Sequence, residues 1–156
     1  MNQVGMVVDC SHTGFKTTMD AMERSADPVV FSHSNPLNLT GHGRNITDEQ
    51  IKACAATGGV IGINGVNIFL GLSDYNPAGV ARHAAYVAEL TGAEHVGITL
   101  DYSPNEDNDE DGTMSDEDPY YWPAHAGYEA EFGCLNVTSL PAIVQELSGV
   151  GFSDTD

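Results

Sequence analysis

Met6-Val7-Val8-Asp9-Cys10-Ser11-His12 and Pro28-Val29-Val30-Phe31-Ser32-His33 share one design: a short apolar run closed by a Ser-His pair. The chain between them suits one helix, about Phe15 to Ser25, which Asp27-Pro28 ends because a residue before proline is pushed out of the helical region. Strand, helix and strand in that order predict a βαβ unit with parallel strands. Both imidazoles then stand at the carboxyl ends of neighbouring strands and face one mouth. Neutral imidazole is a good zinc ligand, so the pattern reads as a metal site.

The same grammar continues along the chain. Strands are expected at about Gly5 to Cys10, Val29 to Ser32, Val60 to Asn64 and His95 to Leu100, the last closing on Asp101. They are unbroken apolar runs, which suits parallel strands covered on both faces. Thr47 stands three residues before Gln50, a capping-box spacing that starts a second helix; Gly58-Gly59 stops it. A third helix is expected from about Gly79 to Leu90 and a last one from about Leu140 to Leu147. Four strand-helix units mean an α/β fold with a parallel sheet, either a small open sheet or half of an eight-stranded barrel, which takes about 250 residues. The chain reads as a single domain, 1–156, with an acidic and aromatic loop insertion at 103–138.

Charge narrows the partners. Of 156 residues, 23 are acidic and 5 are Lys or Arg, a formal net charge of −18 that repels nucleic acid and anionic membranes. Concentrated salt screens such self-repulsion, over roughly 3 Å at 1 M, so a salt-adapted protein is expected, with loss of fold at low salt. Cys10, Cys54 and Cys134 are odd in number and lack a Cys-x-x-Cys pair, which suits reduced thiols in a cytoplasmic protein. No secretory signal or membrane-length apolar run is read in the chain.

Several segments together resemble the membrane dipeptidase (renal dipeptidase) family of zinc metallopeptidases. They are Asp9-Cys10-Ser11-His12-Thr13-Gly14, Phe31-Ser32-His33-Ser34-Asn35, Arg44-Asn45-Ile46-Thr47-Asp48-Glu49, Gly58-Gly59-Val60-Ile61-Gly62-Ile63-Asn64 and His95-Val96-Gly97-Ile98-Thr99-Leu100-Asp101-Tyr102. The resemblance is to the C-terminal half of that family, about the last four β/α units of a metal-dependent-hydrolase barrel with two zinc ions. It implies hydrolysis of dipeptides. By position, His12 and His33 resemble the two histidines on one zinc. Asp101 resembles the aspartate that handles the proton of the attacking water, and Arg44 the arginine that holds the dipeptide's terminal carboxylate. The family's His-x-Asp pair and bridging glutamate have no counterpart here, so at most one partial zinc site and little activity from the isolated chain are expected.

The remaining histidines match none of these contexts. His83 falls mid-helix and reads as a surface residue, while His42 shares a Gly-flanked loop with Arg44 and reads as a residue that could approach a substrate. Asp107, Asp109, Asp111 and Asp118 have calcium-loop spacing around Gly112, but a solvated acidic loop explains them as well. Pro119-Tyr120-Tyr121-Trp122-Pro123 suits either a lid or packing at the barrel edge. Beside the hydrolase reading stand two others. One is a non-catalytic half-barrel, self-associating or complemented by a chain that covers its open edge; the other is a calcium-binding acidic module.

Overall fold

The structure, a computed structural model, describes residues 1–102, 120–128 and 133–156. Its strands are parallel and short. β1 (Val8–Asp9) pairs with β2 (Val29–Val30), and β3 (Ile61–Asn64) pairs with β4 (Val96–Leu100). A single parallel bridge from Phe31 to Ile61 joins the two pairs, supported by Phe31 N to Val60 O at 3.0 Å and Gly62 N to Phe31 O at 2.7 Å. The strands therefore run in chain order, β1-β2-β3-β4, and the mixed α/β class is as expected.

Helices α1 (Phe15–Arg24), α2 (Asp48–Ala56), α3 (Asn67–Leu70), α4 (Pro77–Thr91) and α5 (Leu140–Gly149) complete the described architecture. The capping box forms as read: Thr47 Oγ1 accepts Gln50 N at 3.2 Å and Gln50 Oε1 accepts Thr47 N at 3.0 Å. Gln50 Nε2 then donates to Thr18 Oγ1 at 2.8 Å, which ties α2 to α1. α4 starts on the side chain of Asn76, which accepts Gly79 N at 2.9 Å, with Pro77 in the first turn.

The main core lies between β2, β3, β4 and the helices packed on them. Val29, Phe31, Ile51, Ile61, Ile63, Val80, Val87, Leu100 and Ile143 are all essentially sealed from solvent. Burying each is worth roughly 1.5–3 kcal/mol relative to exposure. Close approach also fixes a glycine: a Cβ on Gly62 would stand 2.2 Å from Ser32 O, so β2 and β3 can meet only with no side chain there.

Three expectations need correction. The first strand is shorter than Gly5 to Cys10: a 3₁₀ turn, Asn2–Val4, and Gly5 at φ 70° precede it, and Met6 and Val7 are 57% and 62% exposed. Those apolar residues have no covering element among the described residues, so no extended segment is stabilised there. His83 is not on the surface but fully buried, because α4 packs against β3, β4, α2 and α5 and keeps little of its circumference in water. Its Nε2 donates to Leu70 O at 3.1 Å; burial, with the charge of Arg82, pulls its pKa down to about 4. The helix α3 was not expected at all.

Candidate active site

The carboxyl ends of the strands bring the predicted histidines together. Ring centroids of His12 and His33 are 4.8 Å apart at an interplanar angle of 60°. His12 sits just past β1 with φ 60°, an unusual left-handed backbone for a non-glycine residue. Leu100 and Asp101, at the end of β4, are the only other described non-glycine residues with positive φ, at 58° and 60°. Strained backbone at His12 and at Asp101 marks two separate strand ends where side-chain direction takes precedence over local comfort.

Each histidine has a defined orientation. Ser32 Oγ donates to Asp9 Oδ2 at 2.5 Å and stands 2.7 Å from His33 Nδ1. With its one proton given to Asp9, the hydroxyl accepts from Nδ1–H, and the other nitrogen of His33 keeps its lone pair. Asp9 Oδ1 takes Ser11 N at 2.9 Å and Ser32 N at 3.1 Å. Burial opposes ionisation of Asp9, but the hydrogen bonds from Ser32 and Ser11 outweigh it and hold its pKa below the ordinary value. His33 N donates to Ser11 Oγ at 3.1 Å, so both Ser-His pairs are knitted into one structure.

His12 Nε2 faces Arg44 Nη2 at 2.8 Å; a guanidinium only donates, so Nε2 is the unprotonated nitrogen. Desolvation, then the charges of Arg44 and His33, lower the pKa of His12 against the raising influence of Asp101 and Asp9. The ring is neutral near pH 7. Asp101 thus lies within electrostatic reach of His12. Asp101 Oδ2 accepts Asn64 Nδ2 at 3.0 Å, and Asn64 is fixed by a pair of bonds with Asn35: Asn64 N to Oδ1 at 3.0 Å and Asn35 Nδ2 to Asn64 O at 3.1 Å.

A cavity of about 490 Å³ opens beside His12 and Arg44, lined also by Thr13, Ser34, Asn45 and Thr47. Among the described residues its lining contains no carboxylate. That suits an anionic group next to Arg44. The guanidinium carbon lies 5.2 Å from the ring centroid of Phe69, on α3, and Arg44 N donates to His42 Nδ1 at 3.1 Å.

As donors for a metal, the described residues go only part of the way. The rings of His12 and His33 stand side by side, but no three His, Cys, Asp or Glu side chains among the described residues gather to hold an ion. A catalytic zinc takes three protein ligands as a rule, so the set is partial. The calcium-loop residues Asp107, Asp109, Asp111 and Asp118 lie outside the described residues, as does most of the acidic run. Of the aromatic segment, Trp122 and Tyr128 pack against Val66, Ile68 and Phe69, while Tyr120 and Tyr121 are exposed. Sequence reasoning did not single out Asp9, Ser32, Asn35, Asn64 or Phe69. The repeated Ser-His pair was the available signal for Ser32, since two serines in equivalent places invite a shared partner.

Comparison with known proteins identifies what the chain is similar to. The model of the family described as membrane dipeptidase (peptidase family M19) matches residues 1–112. An uncharacterized dipeptidase of Schizosaccharomyces pombe is 35% identical over 105 residues, 65% of this chain and 25% of that protein. Dipeptidase verJ of Clonostachys rogersoniana is 32% identical over 154 residues, 99% of this chain and 34% of that protein. Among solved structures, an amidohydrolase from Pseudomonas aeruginosa superposes with a TM-score of 0.78 at 25% identity, covering 99% of this chain and 49% of that one. The chain thus spans half or less of the length of each of these relatives.

Proposed function

Because the chain belongs to the membrane dipeptidase family, peptidase family M19, we propose that its carboxyl edge is the histidine-bearing part of a metallodipeptidase site. Its substrates would be short peptides with a free C-terminal carboxylate. The observation that carries the reading is the meeting of His12 and His33, 4.8 Å between centroids, with Arg44 2.8 Å from the lone-pair nitrogen of His12. Four parallel strands in chain order, with these groups at their carboxyl ends, support the last four units of a (β/α)8 barrel.

Zinc, held in part by His12 and His33, would supply a water of lowered pKa and a polarised carbonyl. The rest of the work falls to this chain's own residues. Arg44 takes the terminal carboxylate on its planar fork and sets the register of the peptide. A carboxylate on that fork competes with His12 for the same N–H groups, so substrate binding and release of His12 Nε2 go together. Asp101, exposed and oriented by Asn64, accepts the proton of the attacking water and returns it to the leaving amine.

Among the described residues two imidazoles and one carboxylate do not make a two-metal site, so the reading is of a site that further ligands complete. Exposed Val4, Met6 and Val7 beside β1 favour a covering segment or chain that brings the missing ligands. The reading also includes work in the cytoplasm at high salt, where a charge of −18 is screened. The test is turnover of a dipeptide by the purified chain with added zinc at high salt. Negligible product is expected; robust hydrolysis would contradict the incompleteness.

A further inference from the structure

We propose that His42 is a positioning residue for Arg44, and that the aromatic segment at 120–128 sets the arginine's pose through it. The inference rests on the reading of Arg44 as the carboxylate holder. Arg44 is gripped twice: its backbone amide donates to His42 Nδ1 at 3.1 Å, and its guanidinium lies over Phe69 at 5.2 Å. His42 stands between Gly41 and Gly43, which have the widest backbone freedom, so the loop takes its set from hydrogen bonds: His42 N donates to Thr40 O at 2.9 Å beside the Arg44 N to His42 Nδ1 bond. The imidazole is the side-chain partner that holds the Arg44 amide.

The ring is itself boxed in. Phe69 stands edge-on at 4.9 Å between centroids and Tyr128 at 5.6 Å, and Trp122 backs Tyr128 at 5.1 Å. Gly127, at φ +94°, closes the remaining side, where a Cβ would fall 2.7 Å from Nε2. Since Nδ1 accepts from Arg44 N, the ring proton is on Nε2. Asn45 N adds a bond to His42 O at 3.0 Å, and Asn45 Nδ2 reaches Phe69 O at 2.9 Å, so the loop and α3 are locked to one another around this ring. A free arginine gives up rotamer freedom on binding, and a fixed backbone with a ring beneath the guanidinium reduces what substrate binding must overcome.

The experiment measures binding of L-alanyl-L-alanine to the full chain by calorimetry, together with thermal melting, for the wild type and three variants. His42→Phe keeps a ring and removes the acceptor; His42→Asn keeps an acceptor near the place of Nδ1; Arg44→Gln removes the fork. Expected is about a tenfold weaker affinity for His42→Phe with melting within a few degrees of wild type, near-wild-type affinity for His42→Asn, and a loss for Arg44→Gln at least as large as for His42→Phe. Unchanged binding by His42→Phe, or His42→Asn as weak as His42→Phe, overturns the positioning role alone. No binding by the wild type, or unchanged binding by Arg44→Gln, overturns the underlying reading of Arg44. If His42→Phe does not fold, hydrogen exchange of the Arg44 amide in the wild type decides: protection is expected, and exchange at the rate of an open loop sinks the proposal.

Discussion

β3 and β1 occupy equivalent places in the third and first strand-helix units, yet they live in different surroundings. All four residues of β3, Ile61 to Asn64, are buried, hydrogen-bonded to neighbours on both sides and covered by α4. β1 has two residues, Val8 half-buried and Asp9 exposed, and one neighbouring strand. The chemistry is distributed the other way. His12, with the Asp9-Ser11-Ser32-His33 network, hangs on the thin half, while the thick half contributes Asp101 and the amides that orient it. Stability and the candidate site are thus separable in this chain: β3, β4 and α4 hold the fold, and the β1–β2 end displays His12 and His33.

The sharpest way to break this comparison is a matched pair of truncations. Ile63→Ala, at 0% exposure, is expected to cost about 3–5 kcal/mol in denaturant unfolding, whereas Val8→Ala should cost about 1 kcal/mol or less. Equal losses would dissolve the distinction. A second prediction uses acid. His83 has a pKa of about 4 when folded and an ordinary 6.5 when unfolded, so the unfolded chain binds the extra proton between those values. Stability is therefore greatest above pH 6.5 and falls as pH drops toward 4, by about 2 kcal/mol between pH 7 and pH 5. His83→Gln should flatten most of that slope; an unchanged slope would place the proton elsewhere.

Asn35→Ala tests the seam between the halves. Its amide spans β2 and β3 through both the N–H and the C=O of Asn64, and removal leaves buried polar groups without partners, at a cost of about 2 kcal/mol. Because Asn64 also orients Asp101, the same change should loosen that carboxylate. Smallest of all is His33→Ala, expected to alter stability by under about 1 kcal/mol, because a half-buried ring at an open edge supports little of the core.

What the sequence disclosed follows the same division. The capping box at Thr47, the stop at Asp27-Pro28 and the four apolar runs are local signals, and each produced its element. The convergence of His12 and His33 was legible because the βαβ rule turns two separated Ser-His pairs into neighbours. The Asn35-Asn64-Asp101 chain was not, because its partners are brought together only by the lateral order of β2, β3 and β4. α3 was missed for lack of length: four residues, Asn67–Leu70, carry no helical period, and tertiary packing of Phe69 with Tyr128 accounts for it. His83 misled because helical periodicity says which residues share a face, not how many faces the fold will cover.

The central claim, that the rings at 12 and 33 share one cation, is tested most directly by calorimetric titration of zinc into the chain and into His12→Ala and His33→Ala at pH 7. Weak binding of a single ion by the wild type, abolished in each variant, is the predicted result. Binding that survives both substitutions, or none by the wild-type chain at millimolar zinc, would contradict it.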